Sequence, residues 1–344
     1  MKKTFFLLLS LIMACGTTLA ETRQVVLLLH NGSGRQFEMD QLQQAVDAAE
    51  DRDTICLIDG IYPVVGDTLT IGKPVSIIGS GVNTKIMGTI NISIPDSVTL
   101  SSYLLDALRV TGNVRVQQPV NGLRYRKCTF DTGIVWNATA RDVLVDRCNV
   151  NTFGSTPLLK SANVVNSRIT VQDASSLSPD NTNFGNSVTF INCAIWGIKL
   201  PGFDYGPYEY STYINCIVYN LHRSYSHWRV GESISNCIFI NSLLFTRTDG
   251  TNDGGFDYGT ATQIDCYSTS ESALRNWNYI SGCSLSAEEM IERGWLGNDG
   301  IVVGPEGGHA PYSLIPTGIS VRESWLTIDG ENRTLNVRLK LTAN

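Results

Sequence analysis

The sequence predicts an all-β chain built as a solenoid of short stacked strands. Three observations point there. Asparagine–cysteine pairs set between apolar residues recur in "TFINCAI", "TYINCIV" and "SISNCIF". Apolar residues keep fixed offsets from that cysteine position over some 150 residues. Gly, Ser, Thr and Asn are plentiful while charged residues make up only 17%, as suits many short strands and turns.

Aligned on the cysteine position, the repeat runs through Cys128, Cys148, Ser167, Cys193, Cys216, Cys237, Cys266 and Cys283. The spacings are 20, 19, 26, 23, 21, 29 and 17 residues, a variable period near twenty that marks stacked coils. Three residues before the slot stand Tyr125, Val145, Val164, Phe190, Tyr213, Ile234 and Ile280; two after it stand Phe130, Val150, Ile169, Ile195, Val218, Phe239 and Leu285. Both columns are expected to face inward, with polar residues between them. Just before the slot come Asn166, Asn192, Asn215, Asn236, Asp265 and Gly282, residue types that tolerate a left-handed corner. Lys127 and Arg147 break this rule, so the earliest coils are expected to turn differently. The slot cysteines read as small, reduced core side chains, with the inward thiols Cys193, Cys216 and Cys237 in consecutive coils.

This pattern, from about Val25 to Leu285, resembles the single-stranded right-handed parallel β-helix of the pectin-lyase-like superfamily. At the entrance, "DQLQQAVDAAE" reads as a helix with Leu42, Ala45, Val46 and Ala49 on one face, suited to cap the first coil. At the exit, "SWLTIDGENRTLNVRLKL" reads as a β-hairpin about Asp329–Asn332. The expected organisation is a signal peptide over 1–20, a β-helix domain over 21–296 and a C-terminal β tail or cap over 297–344.

Lys2 and Lys3 precede an apolar run, Phe5–Ala14, too short to span a bilayer, and Thr18 and Ala20 sit at cleavage spacing. The reading is export to the periplasm, the outer surface or the medium, with lipid anchoring at Cys15 as the lesser alternative. No later run reaches transmembrane length. Loss of Lys2 and Lys3 with the leader moves the formal charge from −6 to −8. A mildly acidic chain without basic clusters argues against nucleic acid as a partner.

Chemistry is expected in the long insertions that start from Gln172, which enter successive coils at a similar point and would wall one flank. Their aromatic residues, Tyr205, Tyr208, Tyr210, Trp228 and Tyr258, offer faces for sugar stacking, and His222 and Arg223 add polar contacts. Two mechanisms are open. The repeated string GFDYG places Asp204 and Asp257 in similar loops, a spacing compatible with a two-carboxylate hydrolase. Alternatively His227 and Arg229 in "HRSYSHWR" supply the base and cation of a lyase. Asp249, Asp253 and Asp257 in "DGTNDGGFD" resemble part of a calcium loop, although Thr260 replaces its closing Glu; calcium is the one cofactor the sequence suggests. The superfamily's N-T-D, Asp-Asp, G-H-G, R-I-K and R-x-P-x-x-R strings are missing, so no catalytic residue carries over from the resemblance. The functional expectation is therefore a protein engaging polysaccharide along its walled flank, as a lyase, a hydrolase or a noncatalytic surface glycan-binding module. Oligomeric state is not legible.

Overall fold

The structure is a computed structural model that describes residues 25–153, 158–170, 187–196, 212–219, 238–240, 242–246, 262–270, 287–309, 311–312, 319–329 and 334–343. The expected signal peptide over 1–20, with Cys15, lies outside them. Strand β1 (Val25–His30) and strand β2 (Ser33–Glu38) form an antiparallel hairpin, and β1 also runs antiparallel to β3 (Thr54–Leu57). This hairpin is an end piece, and the parallel winding starts only with β3. Between β2 and β3 lies helix α1 (Leu42–Ala48). Leu42, Ala45, Val46 and Ala49 are all buried, as the apolar stripe predicts, against β1, β2 and the long strand β4 (Gly60–Ile71). Gln43 seals the exposed edge of β4 by mimicking a strand partner. Its Oε1 accepts from the Thr70 N–H at 2.7 Å and its Nε2 donates to the Thr70 carbonyl at 3.1 Å.

From β3 onward the chain winds two long parallel sheets. The first passes through Ser76–Ile78, Leu105–Asp106, Arg124–Arg126, Val143–Asp146, Ser161–Val165, Ser187–Ile191, Thr212–Ile214, Ile238–Ile240 and Thr262–Ile264. The second passes through Thr84–Ile92, Arg109–Val110, Thr129–Phe130, Asn149–Val150, Arg168–Thr170, Ala194–Trp196, Ile217–Tyr219, Leu243–Thr246 and Tyr267–Ser270. A two-residue corner joins each first-sheet strand from Leu105–Asp106 onward to its second-sheet successor, whereas five residues separate Ser76–Ile78 from Thr84–Ile92.

Register places like over like in the core. Leu105, Tyr125, Val145, Val164, Phe190, Tyr213 and Phe239 form one inward column. Val110, Phe130, Val150, Ile169, Ile195 and Val218 form the other. Within the first column Phe190 stacks on Tyr213 at 5.1 Å between centroids and Tyr213 on Phe239 at 4.7 Å. Each such pair adds about 0.5–1.5 kcal/mol beyond the area it buries.

The pairing of Phe239 with Tyr213 corrects one coil of the expected register. The slot there belongs to Ser242, not Cys237: Cys216 N–H donates to Ser242 Oγ at 3.1 Å, and Ser242 Oγ donates to Ile240 O at 3.0 Å. "SNCIFINSLLF" offers two Asn–small-residue pairs five positions apart, and only the second puts Phe239 in the first-sheet column with Tyr213. Cys237 and Cys283 lie outside the described residues.

The corner column corrects a second expectation. Lys127 and Arg147 have φ of 53° and 52°, beside 46°, 50° and 53° at Asn166, Asn192 and Asn215. The early coils turn as the later ones do, with long cationic side chains in the left-handed position.

The slot itself has a hydrogen-bonding reason for its cysteines. Cys128, Cys148, Cys193 and Cys216 are buried and unbridged, and each Sγ lies 3.2–3.4 Å from the carbonyl two residues back. In three coils the slot N–H donates to the slot side chain of the next coil. Cys128 N–H reaches Cys148 Sγ at 3.4 Å, Cys148 N–H reaches Ser167 Oγ at 2.9 Å, and Cys216 N–H reaches Ser242 Oγ. A small group that both donates and accepts satisfies a corner amide that the sheet ladders do not. The slot is therefore more than a place for a small apolar residue.

Beyond the coils, Ile319–Asp329 and Thr334–Ala343 pair antiparallel as the expected hairpin. No helix among the described residues is long and apolar enough to cross a membrane.

Candidate functional site: an insertion flank and a cationic corner

Second-sheet strands end at Thr170, Trp196, Tyr219, Thr246 and Ser270, and first-sheet strands resume at Ser187, Thr212, Ile238 and Thr262. These ends are in register. Thr170 pairs with Trp196 and Trp196 with Tyr219; on the return side Thr189 pairs with Thr212, Thr212 with Ile238 and Ile238 with Thr262. The chain therefore leaves and re-enters successive coils along one edge, away from the two-residue corners. The earlier coils make the same return with regular strands, Asn113–Val116 and Gly133–Trp136, which are paired in parallel.

The side chains expected to carry chemistry belong to the segments leaving this edge. Asp204, Tyr205, Tyr208 and Tyr210 fall between Trp196 and Thr212. His222, Arg223, His227, Trp228 and Arg229 fall between Tyr219 and Ile238, and Asp249, Asp253, Asp257 and Tyr258 between Thr246 and Thr262. All lie outside the described residues, so their three segments start from neighbouring coils while their mutual geometry is not described. Among the described residues no group of three or more His, Cys, Asp or Glu gathers as metal ligands would. The residues of the calcium-like loop are not among them.

The opposite edge carries a constellation that the sequence reading passed over. Along the first sheet, Asp106 pairs in register with Arg126, and Arg126 with Asp146. Arg126 Nε donates to both oxygens of the nearly buried Asp106 at 3.0 and 3.1 Å, and its Nη2 closes a second bond to the same carboxylate. The Arg126 guanidinium also lies 4.2 Å from the centroid of the Tyr103 ring. Arg147 makes a bidentate pair with Asp146, Nε to Oδ1 at 3.0 Å and Nη2 to Oδ2 at 2.7 Å. Lys127 stands on the corner between them. Its partial burial holds its ammonium below the usual lysine range, and the charges of Arg147 and Arg126 act the same way against Asp106 and Asp146. Arg126 and Arg147 are both pushed upward, first by their carboxylate hydrogen bonds. The available signal was the departure of Lys127 and Arg147 from the corner asparagines.

A C-terminal strap covers the next three corners. Asn166 Nδ2 donates to the carbonyls of Pro305 at 3.1 Å and Gly307 at 2.6 Å. Asn215 Oδ1 accepts from Asn298 N–H at 3.3 Å, and Gly304 N–H donates to Asn215 O at 2.8 Å. At Gly308, with φ of 75°, a side chain would run into Asn192 Nδ2, so the close approach requires glycine. Arg168 pairs with Glu306 and lies 4.7 Å from the centroid of the Tyr312 ring. Burial pushes the Tyr312 hydroxyl up to about 12. Asn166 and Asn215 thus hold the strap through their side-chain amides.

The chain matches no protein-family model, no curated protein and no solved structure. It is a parallel β-solenoid. Its architecture and sites stand on its own geometry.

Proposed function

We propose that this is an exported β-helix protein of the pectin-lyase-like kind, engaging polysaccharide along the flank from which its insertions emerge. The observation that supports the reading is the shared register of the insertion ends at Thr170, Trp196 and Tyr219 and at Thr212, Ile238 and Thr262. Neighbouring coils are about 4.8 Å apart, so segments from consecutive coils converge on one ligand chain despite long sequence separations. Tyr205, Tyr208, Tyr210, Trp228 and Tyr258 would supply stacking faces, with His222 and Arg223 as polar contacts. His227 with Arg229, or Asp204 with Asp257, would supply chemistry if the ligand is cleaved.

The test is incubation of the purified protein with acidic and neutral polysaccharides, alongside Trp228→Ala. Retention of a glycan that weakens at least about fivefold in the variant, the loss of roughly 1 kcal/mol of stacking, supports the flank. Ultraviolet-absorbing unsaturated products would define a lyase, new reducing ends alone a hydrolase, and retention without cleavage a binding module. Equal affinity of parent and variant for every retained glycan would remove the flank from consideration.

A further inference from the structure

A strand at the edge of a sheet presents unpaired N–H and C=O groups, and folds normally blunt such edges. The N-terminal end of this solenoid has two of them. The long strand β4 pairs only with Thr84–Ile92, and its outer edge is blunted in three ways. Pro63 has no N–H to offer, the register slips between Pro63 and Thr68, and Gln43 takes both backbone groups of Thr70. The first sheet ends at β2, which carries none of these devices. β2 has no proline and no register shift, and its residues Ser33, Gly34, Arg35 and Gln36 are exposed.

The register of β2 shows which of its groups are open. Asn31 and Gly32, with φ of 46° and 81°, form a two-residue turn. The hydrogen-bonded pairs with β1 are therefore His30–Ser33, Leu28–Arg35 and Val26–Phe37. Gly34 and Gln36 fall between them and direct both N–H and C=O to the outer side. No other described residue bonds those groups. Glu38 is already closed off: its N–H donates to Gln41 Oε1 at 3.1 Å, and its carbonyl accepts from Gln41 N–H at 3.0 Å. The open edge consists of Gly34 and Gln36, disposed symmetrically about Arg35.

We propose that this edge pairs with itself: β2 of a second copy of the chain runs antiparallel beside β2, about a two-fold axis at Arg35. Gly34 then faces the partner's Gln36, and four hydrogen bonds satisfy every open group on both copies. The neighbouring registers bring in Gly32 or the occupied Glu38 instead. The side chains permit the approach. Like charges directly opposite destabilise a strand pair, but the Arg35 guanidinium lies 4.6 Å from the centroid of the Phe37 ring. It leans along its own strand, and the two-fold axis sends its mate the opposite way. On the other face, a Cβ at Gly34 would come within 3.1 Å of Leu27 Cδ1. The bare glycine leaves a gap for the stem of the partner's Gln36, against the exposed Leu29 that pairs with Gly34. The product is two solenoids joined head to head, their first sheets continuous. One pair of six-residue strands is a small interface, under about 1,200 Å² in total, so the dimer is weak, with a Kd on the order of 10 µM. The inference is independent of what the flank binds.

The test is analytical ultracentrifugation of the purified protein, from about tenfold below to tenfold above that concentration. The parent should pass from monomer to dimer. Over the same range amide exchange at Gly34 and Gln36 should slow about threefold or more, while Arg35 and Phe37, bonded to β1, stay unchanged. Gln36→Pro removes one outward N–H and spares the pairs with β1. It should stay monomeric, with the melting temperature of the dilute parent. Gln36→Ala keeps the backbone groups and should associate within about fivefold of the parent.

A parent that stays monomeric over the whole range would overturn the inference. So would a dimer that Gln36→Pro retains, since another surface would then hold it, or a dimer in which Gly34 and Gln36 exchange as in the monomer. Strong protection of those two amides already in the monomer would show the edge covered by the protein's own chain, and would overturn it equally.

Discussion

Replacing Ser167 by Ala tests whether the slot side chains hold the coils together by hydrogen bonding or only by fit. Ser167 is fully buried; its Oγ donates to Val165 O at 2.7 Å and accepts from Cys148 N–H at 2.9 Å. The two bonds are unequal in consequence. Val165 O keeps a second partner, Arg147 N–H at 2.9 Å, so losing the hydroxyl there costs only about 1 kcal/mol, an ordinary net hydrogen bond. Cys148 N–H sits at a corner and donates to the serine oxygen. Leaving it buried and unsatisfied costs about 1–3 kcal/mol. Ser167→Ala should therefore destabilise by about 2–4 kcal/mol, while Ser167→Cys, which recreates the pairing of Cys128 with Cys148, should stay within about 1 kcal/mol of the parent. Urea unfolding followed by circular dichroism gives the global change. Amide exchange at Cys148 gives the local one, expected to accelerate about 30- to 700-fold in the Ala variant, at tenfold per 1.4 kcal/mol. Equal stability of the Ala and Cys variants, with Cys148 exchange unchanged, would refute the hydrogen-bonding account and leave packing alone.

Two further outcomes follow from single groups. The Tyr125 hydroxyl is fully buried with no hydrogen-bond partner among the described residues, so Tyr125→Phe, which keeps the edge-on contact with Phe130, should stabilise by about 1 kcal/mol in urea unfolding; a loss of stability would show that the hydroxyl is satisfied. His30 is raised above its ordinary 6.5, first by the hydrogen bond of Nδ1 to Asp53 at 2.8 Å and then by the charges of Asp53 and Glu50, against a smaller desolvation effect. A raised folded-state value means that the contribution is fully present below pH 6.5 and is lost as pH rises through the folded value, so the parent's melting temperature should fall across that window relative to His30→Gln, and parallel pH profiles would remove the pair from the account.

The features legible in the sequence were those with strong periodic or local causes. Leu42, Ala45, Val46 and Ala49 repeat at helical spacing, and all four are buried in the cap. The two inward columns recur at fixed offsets from the slot, which is enough to place Tyr125, Phe190, Tyr213, Phe130 and Ile195 in the core, where they are buried. The register failed at Cys237 because alignment followed the cysteine, whereas the slot requires a small group that donates and accepts, and Ser242 meets that need equally. Lys127 and Arg147 were misread because propensity disfavours them in a left-handed turn; the stacked ladders on both sides impose the turn regardless. The strap contacts were hidden for another reason. Asn166 meets Pro305 and Gly307 139 and 141 residues away, and nothing in a glycine-rich segment announces a partner at that distance. The residues expected at the flank were chosen by chemistry alone; the structure adds the common edge from which their segments depart.

One backbone geometry along the corner column serves two chemistries, and the boundary between them falls where the strap's contacts stop. From Asn166 to Asn215 the corner needs a short side chain, because glycine-rich backbone lies directly upon it and takes its amide hydrogen bonds. A lysine or arginine in those corners would lift the strap and lose the Arg168–Glu306 pair with it. Lys127, Arg147 and, one coil earlier, Ala107 take the same left-handed turn with φ of 53°, 52° and 51°, so the stacked ladders impose that turn on whatever residue stands there, and the strap alone decides where the side chain must be short.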